Sequence, residues 1–310
     1  MARLARVKAE NVGAFYHLCG RIAGVIGEYP LDDKRCRRKL IDFIRLFAKV
    51  YCCQVMGFCI MGNHYHFIVR MDDPRAVTRN ELRKRAALLY KDTVLDGWLA
   101  ASWDRFETRI FDVSELMRSL QSKIAKWFNL THNRRGRFWA ERFKSVLLED
   151  EKAAFDCLLY VELNPVRAGI CRRPEEFDGS SIYYREMKDD NWMMPLTEIT
   201  GRTKRGDAMR DYKSCIYYRG SVPTKDNQAP ISKRLLAEEE SRGFASEGIF
   251  KRRIRHFTDG VVIGSEEFVK EKLDRLRAVG HPLEVPVNRL YEFFVAFFTR
   301  NSMVTVQTTC

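Results

Sequence analysis

Gly62-Asn63-His64-Tyr65-His66-Phe67-Ile68-Val69 pairs a turn signal with two closely spaced histidines and an apolar run. Two histidines flank one bulky apolar residue and run into a β-branched, apolar segment that reads as a strand. Side chains alternate faces along a strand, so His64 and His66 share one face while Tyr65 and Phe67 share the other. Two imidazoles on one face can hold a divalent metal between them. The preceding run, Tyr51 to Ile60, is also apolar, and Gly62-Asn63 is a hairpin turn signal. The alternative for the same triplet is a pair of histidines hydrogen-bonded under a loop, and the triplet alone does not choose between them.

Working outward, Ala14 to Cys19 reads as a first strand. Asp33 is placed to cap a helix whose apolar positions Leu40, Ile41, Ile44, Phe47 and Ala48 follow a 3.6-residue period. After the hairpin come a basic amphipathic helix around Asn80–Tyr90 and a less regular stretch to about Asp112. Strand, helix, strand, strand, helix is the start of a ferredoxin-like plait: an α+β fold with an antiparallel sheet and helices on its faces. Ser114 is read as the cap of a further helix with Val113, Leu116, Met117, Leu120, Ile124, Trp127 and Phe128 on one stripe. Arg142 to Leu148 alternates like a strand. Asp150 to Leu163 reads as a helix that ends near Asn164, because a residue before proline is pushed out of the α region. The expected division is a main domain over 1–185, a linker or transition over 186–230, and a mostly helical C-terminal extension over 231–310.

A chain of 310 residues with 45% hydrophobic residues can build a substantial core, and 31% charged residues argue for a soluble protein. A net charge of +13 points to a polyanionic partner. The basic residues are interleaved with aromatics rather than gathered beside an apolar anchor, so nucleic acid is favoured over a membrane surface. No signal peptide or membrane span is legible, and a cytoplasmic location is expected. The nine cysteines are odd in number and lack a C-x-x-C pair, which argues against structural zinc and for buried thiols in a reducing compartment.

Four motifs carry a family resemblance. They are Tyr16-His17-Leu18, then Met61-Gly62-Asn63-His64-Tyr65-His66, then Gly136-Arg137-Phe138-Trp139-Ala140-Glu141-Arg142-Phe143-Lys144-Ser145. The last is Tyr160-Val161-Glu162-Leu163-Asn164-Pro165-Val166-Arg167-Ala168-Gly169. In that order the chain resembles the REP-associated tyrosine transposases, single-tyrosine HUH enzymes of the IS200-like superfamily, over roughly residues 5 to 185. Arg255 to Ser265 looks like the tail of longer members. The resemblance implies the same ferredoxin-like fold and a domain that binds single-stranded or hairpin DNA, as a monomer or homodimer. It also implies metal-dependent strand cleavage and joining through a 5′-phosphotyrosine. His64 and His66 match the metal ligands, for Mg2+ or Mn2+, and Asn129 is the candidate for a third ligand from the tyrosine helix. A C-terminal helix cap is the other reading of Asn129.

On the same resemblance the nucleophile falls on the helix ending near Asn129, where Ile124 stands. No tyrosine occurs between Tyr90 and Tyr160, so the catalytic tyrosine is read as missing, with Tyr90 and Tyr160 as the remaining candidates. His17, in a strand apolar on both sides, is read as a core residue, and His256 is assigned no chemistry.

DNA binding does not need the nucleophile. Between Arg118 and Lys144 stand eight basic residues (Arg118, Lys123, Lys126, Arg134, Arg135, Arg137, Arg142 and Lys144) and one acid, Glu141. Trp139 lies within the run. Cations neutralise phosphates and aromatic faces stack on unpaired bases, the combination used in single-strand binding, while a core tryptophan on a solvated basic face is the alternative. The functions compared are a tyrosine transposase, a non-catalytic DNA-binding relative, and a metal-dependent hydrolase built on His64 and His66.

Overall fold

β1 (Ala14–Arg21) sits between β3 (His64–Met71) and β4 (Lys144–Leu148), antiparallel to both, and β2 (Cys53–Ile60) forms the hairpin with β3. The computed structural model describes residues 9, 13–24, 29–222, 228–244, 260–278, 287–290 and 293–297. Strand order begins β2-β3-β1-β4, the order of a ferredoxin-like plait, and the fold is α+β as expected.

The sheet then continues. β5 (Gly260–Gly264) joins β4 in parallel, and β7 (Phe293–Phe297) and β6 (Val287–Leu290) bring the sheet to seven strands among the described residues. The C-terminal region therefore holds helices α11 (Lys233–Ser241) and α12 (Glu266–Ala278) and, in addition, three strands not anticipated from sequence. Val262 and Ile263 are both buried, as expected of a strand covered on both faces, where the alternation that marks a half-exposed strand is lost. Arg255 to Asp259, with His256, lie outside the described residues.

One face of the sheet presents Tyr16, Leu18, Tyr65, Phe67 and Leu147 to the core under α1 (Lys34–Val50) and α5 (Val113–Thr131). Asp33 caps α1 as the sequence suggests, accepting from the N–H groups of Arg35 and Cys36. The cap of α5 is Asp112 rather than Ser114, whose own N–H donates to the Asp112 carboxylate. Either residue type satisfies a first-turn donor, and the carboxylate also complements the helix dipole. Between these helices run α2 (Arg79–Ala86), α3 (Asp92–Asp96) and α4 (Ala100–Ile110).

The other face presents Phe15, Cys59, Ile68, Val146 and Leu148, and His17 and His66 stand on it too. Its cover is α6 (Glu151–Glu162), capped by Asp150, which runs into the single turn α7 (Asn164–Arg167). Gly57 allows the close approach of α6 to the sheet, since a Cβ there would collide with Leu158 and Ser181. Around α6 pack α8 (Ser181–Glu186), α9 (Leu196–Thr200) and α10 (Arg205–Ser221). A seventeen-residue helix thus occupies part of the expected 186–230 linker. Tyr212, Ile216 and Tyr217 of α10 are fully buried in the second core, a use of the local tyrosine enrichment that glycines and prolines obscure in the sequence.

Candidate metal and tyrosine site

Strand register brings the site together. His66 is opposite Cys19 on β1 and Cys59 on β2, and Cys19 is in turn opposite Lys144 on β4. Residues directly opposite share a face, so these four form one row across the sheet. His64 is opposite Arg21 in the next row.

His66 is almost fully buried and His64 half-buried, with ring centroids 5.2 Å apart. Burial pushes the His66 imidazole well below its ordinary pKa, reinforced by His17 and His64. Burial and Arg21 push His64 down to about 4. Both rings are therefore neutral near pH 7, the form that donates a lone pair to a metal. Each has one nitrogen engaged: His66 Nδ1 lies 3.0 Å from His17 Nε2, and His64 Nδ1 lies 2.8 Å from Asn63 Oδ1. The Asn63 oxygen accepts from His64 Nδ1 and so leaves its Nε2 as the ligand atom, and the same holds for His66 when His17 is the acceptor.

His17, Cys19 and His66 form a buried group whose ligand atoms all lie within 4.8 Å of one another. This group is able to hold a metal ion, and two of its members were not singled out from the sequence as ligands. The signal was present: His17 and Cys19 have the same i, i+2 spacing as His64 and His66, and hence share a face of β1. Imidazole with thiol suits a borderline ion better than magnesium.

The tyrosine candidates separate sharply. Ile124 is fully buried on the opposite face of the sheet, within the core that contains Tyr65 and Phe67. Asn129, on the same helix, donates to the Gly136 carbonyl oxygen at 3.0 Å, a loop contact at the helix end. Tyr90 belongs to a cluster with Trp98 and Phe106, and its hydroxyl accepts from Arg109 at 3.1 Å. Tyr160 of α6 stands on the histidine face, its ring edge-on to His66 with centroids 6.0 Å apart.

Arg167 lies over the Tyr160 ring, 5.4 Å from its centroid. Burial, then the charge of Arg219, push the Arg167 guanidinium down to about 10, against the opposing effect of Tyr160. Among the described residues no carboxylate pairs with Arg167. Arg219 pairs with Asp156 through Nη1, while its buried Nη2 has no hydrogen-bond partner among the described residues. Arg167, against the phenol ring, is thus a cation with spare donors, the kind of group that meets an anion.

The basic run approaches this end of the sheet. Ala140 N–H donates to the Arg21 carbonyl oxygen, Ala23 N–H to that of Phe138, and Trp139 bridges to Ile22. Arg118, Lys123, Lys126, Arg135, Arg137, Arg142 and Lys144 are exposed and Arg134 half-exposed. Arg118 pairs with Glu115, and among the described residues the others have no ion-pair partner. Trp139 is engaged within the fold: its indole N–H donates to the Gln121 carbonyl oxygen at 2.9 Å and its ring meets Tyr65 edge-on.

Comparison with solved structures adds a likeness of fold. A solved structure of a REP-associated tyrosine transposase bound to a REP hairpin is similar with a TM-score of 0.37 and 10% identity. The likeness covers 61% of this chain and 87% of that one. No family model and no curated protein matches the sequence. Among the described residues no helix is long and apolar enough to cross a membrane.

Proposed function

We propose that this chain is a metal-assisted DNA strand transferase of the tyrosine type, acting on single-stranded or hairpin DNA, with Tyr160 as its nucleophile. The observation that carries this reading is the edge-on placement of Tyr160 against His66. It replaces Ile124, which faces away, and moves the third donor as well. Asn164 lies one helical turn beyond Tyr160 and so on the same side of the helix, the relation that Asn129 has only loosely to Ile124.

The residues fit a divalent ion, since both imidazoles of the His-x-His pair are neutral and held by their Nδ1 atoms. Such an ion supplies positive charge for the phosphoryl oxygens. Tyr160 contributes the attacking oxygen: its Oη–P bond forms as the P–O3′ bond breaks, the phenolic proton departs, and the released 3′-oxygen takes up a proton. The products are a 5′-phosphotyrosine and a 3′-hydroxyl, and the reverse step joins another end. In this reading Arg167 and Arg219 would neutralise the scissile phosphate, and Arg21, Lys144 and the Arg134–Arg142 segment the flanking backbone. Arg219 comes from α10, so the proposed unit extends past residue 185.

The test is covalent trapping on a labelled hairpin oligonucleotide with manganese. The wild type should form an adduct mapping to Tyr160, and Tyr160→Phe and His66→Ala should not. Hairpin binding without an adduct in the wild type would return the chain to the non-catalytic DNA-binding reading.

A further inference from the structure

A second set of metal-ligand side chains lies on the other face of the sheet, away from His66. Asp33 caps the start of α1, Cys36 sits in the first turn of that helix, and His132 caps the end of α5. Their ligand atoms lie within 4.8 Å of one another, with Cys36 Sγ 3.9 Å from His132 Nε2. Asp33 and His132 are exposed and Cys36 is buried, so the thiol lies beneath an open mouth.

The histidine is already held in a ligating pose. His132 Nδ1 is 3.0 Å from the Phe128 carbonyl oxygen, which places the proton on Nδ1 and the lone pair on Nε2, toward Cys36. The ring also stacks on Phe128, with centroids 4.1 Å apart and planes 22° from parallel. A backbone carbonyl on the far nitrogen is the usual outer support of a metal-bound imidazole. Around zinc, sulfur at about 2.3 Å and nitrogen at about 2.0 Å in tetrahedral geometry stand roughly 3.5 Å apart, a small contraction from the present separation.

We propose that Asp33, Cys36 and His132 form a binding site for a thiophilic divalent cation of the zinc type. Binding exchanges the Cys36 thiol proton, which passes to solvent, for a metal–sulfur bond. The thiolate and the Asp33 carboxylate together balance the two positive charges, and water fills the fourth position. Asp33 keeps its capping bonds to the N–H groups of Arg35 and Cys36, because each carboxylate oxygen has a further lone pair. The sequence conceals the site: Asp33-x-x-Cys36 has the spacing of a C-x-x-C pair with one thiol replaced by carboxylate, and His132 is 96 residues beyond Cys36. The ion would clip the start of α1 to the end of α5, where the chain enters the basic Arg134–Arg142 segment. This inference does not rest on the strand-transfer reading.

Cobalt titration of the full, metal-free chain tests it. Cobalt should produce d–d bands of tetrahedral form and a thiolate charge-transfer band, both displaced by zinc. Cys36→Ser should remove the charge-transfer band and Cys19→Ser should retain it, separating this site from the His17–Cys19–His66 group. His132→Ala, at an exposed position where folding is least affected, should weaken cobalt binding at least tenfold. Bands unchanged in both Cys36→Ser and His132→Ala, or no thiolate band in the wild type, would overturn the proposal.

Discussion

His17 Nε2 lies 3.0 Å from His66 Nδ1, a side-chain contact between neighbouring strands in the interior of the sheet. With both rings buried, one nitrogen must carry the proton and the other accept it. If His66 binds metal through Nε2, its Nδ1–H is the donor and His17 the acceptor, so His17 sets the tautomer of the ligand.

His17→Phe fills the volume but leaves His66 Nδ1 without its partner. It should cost about 1–3 kcal/mol in a denaturant melt, the usual penalty for an unsatisfied buried group. Manganese affinity measured by calorimetry should fall about 10–100-fold, the range for losing an outer-shell partner. Complete loss of binding, with binding retained in His64→Ala, would instead place the ion among His17, Cys19 and His66.

The Arg134–Arg142 segment meets the His64 end of the sheet through the backbone bonds of Ala140 and Ala23. Arg135→Ala with Arg137→Ala should therefore weaken hairpin binding and reduce the steepness of its salt dependence, since about two fewer counterions are released. Filter binding across a salt series reads both effects. An unchanged slope would remove these side chains from the DNA contact. Trp139→Ala should mainly lower thermal stability, because the indole N–H and ring are already engaged within the fold.

The β2–β3 hairpin and the α1 helix were legible because the hairpin signal, the alternation of His64 and His66 and the capping Asp33 are local features, whereas the strand order followed only from the family resemblance. Much of the site was not legible. Tyr160 and His66 are brought together by the packing of α6, for which Gly57 leaves space, and no periodicity encodes that. His17 read as core because it is core: full burial and a role beside a ligand are compatible when a second histidine satisfies the ring. The strands after α11 escaped notice because they are short, and α10 because its buried tyrosines lie among polar residues on a helix without a clean apolar stripe.

Ile124 tests the reassignment of the nucleophile. The side chain is fully buried beneath the sheet, on the face opposite His66. Ile124→Tyr adds a ring and a hydroxyl to a packed core, so it should destabilise the fold by about 1–3 kcal/mol or more. Introduced into Tyr160→Phe, it should restore no covalent adduct. Recovery of an adduct mapped to position 124 would mean that α5 swings to the histidine face in solution.

Glu162, on the helix that carries Tyr160, should give the fold a distinct pH signature. Its carboxyl is fully buried, and burial raises its pKa to about 7 despite hydrogen bonds from Ser181 and Tyr212 that favour the anion. In the unfolded chain a glutamate titrates near 4.3. The folded state thus holds a proton that the unfolded state has released, and this group's contribution to stability is complete below about pH 4. It is lost progressively as pH rises through about 7, by an amount on the order of 3 kcal/mol. Glu162→Gln keeps an acceptor for Ser181 and Tyr212 but cannot ionise, so it should gain stability over the wild type as pH rises from about 4.5 to 7. The lowered pKa of His64 acts in the opposite direction, removing stability as pH falls from about 6.5 toward 4, and it is common to both proteins. The informative quantity is therefore the difference between the two urea-melt profiles, which cancels the histidine contribution. A difference that stays flat between pH 5 and pH 7.5 would show that Glu162 is ionised throughout, held by Arg185 or by water that reaches its Oε2.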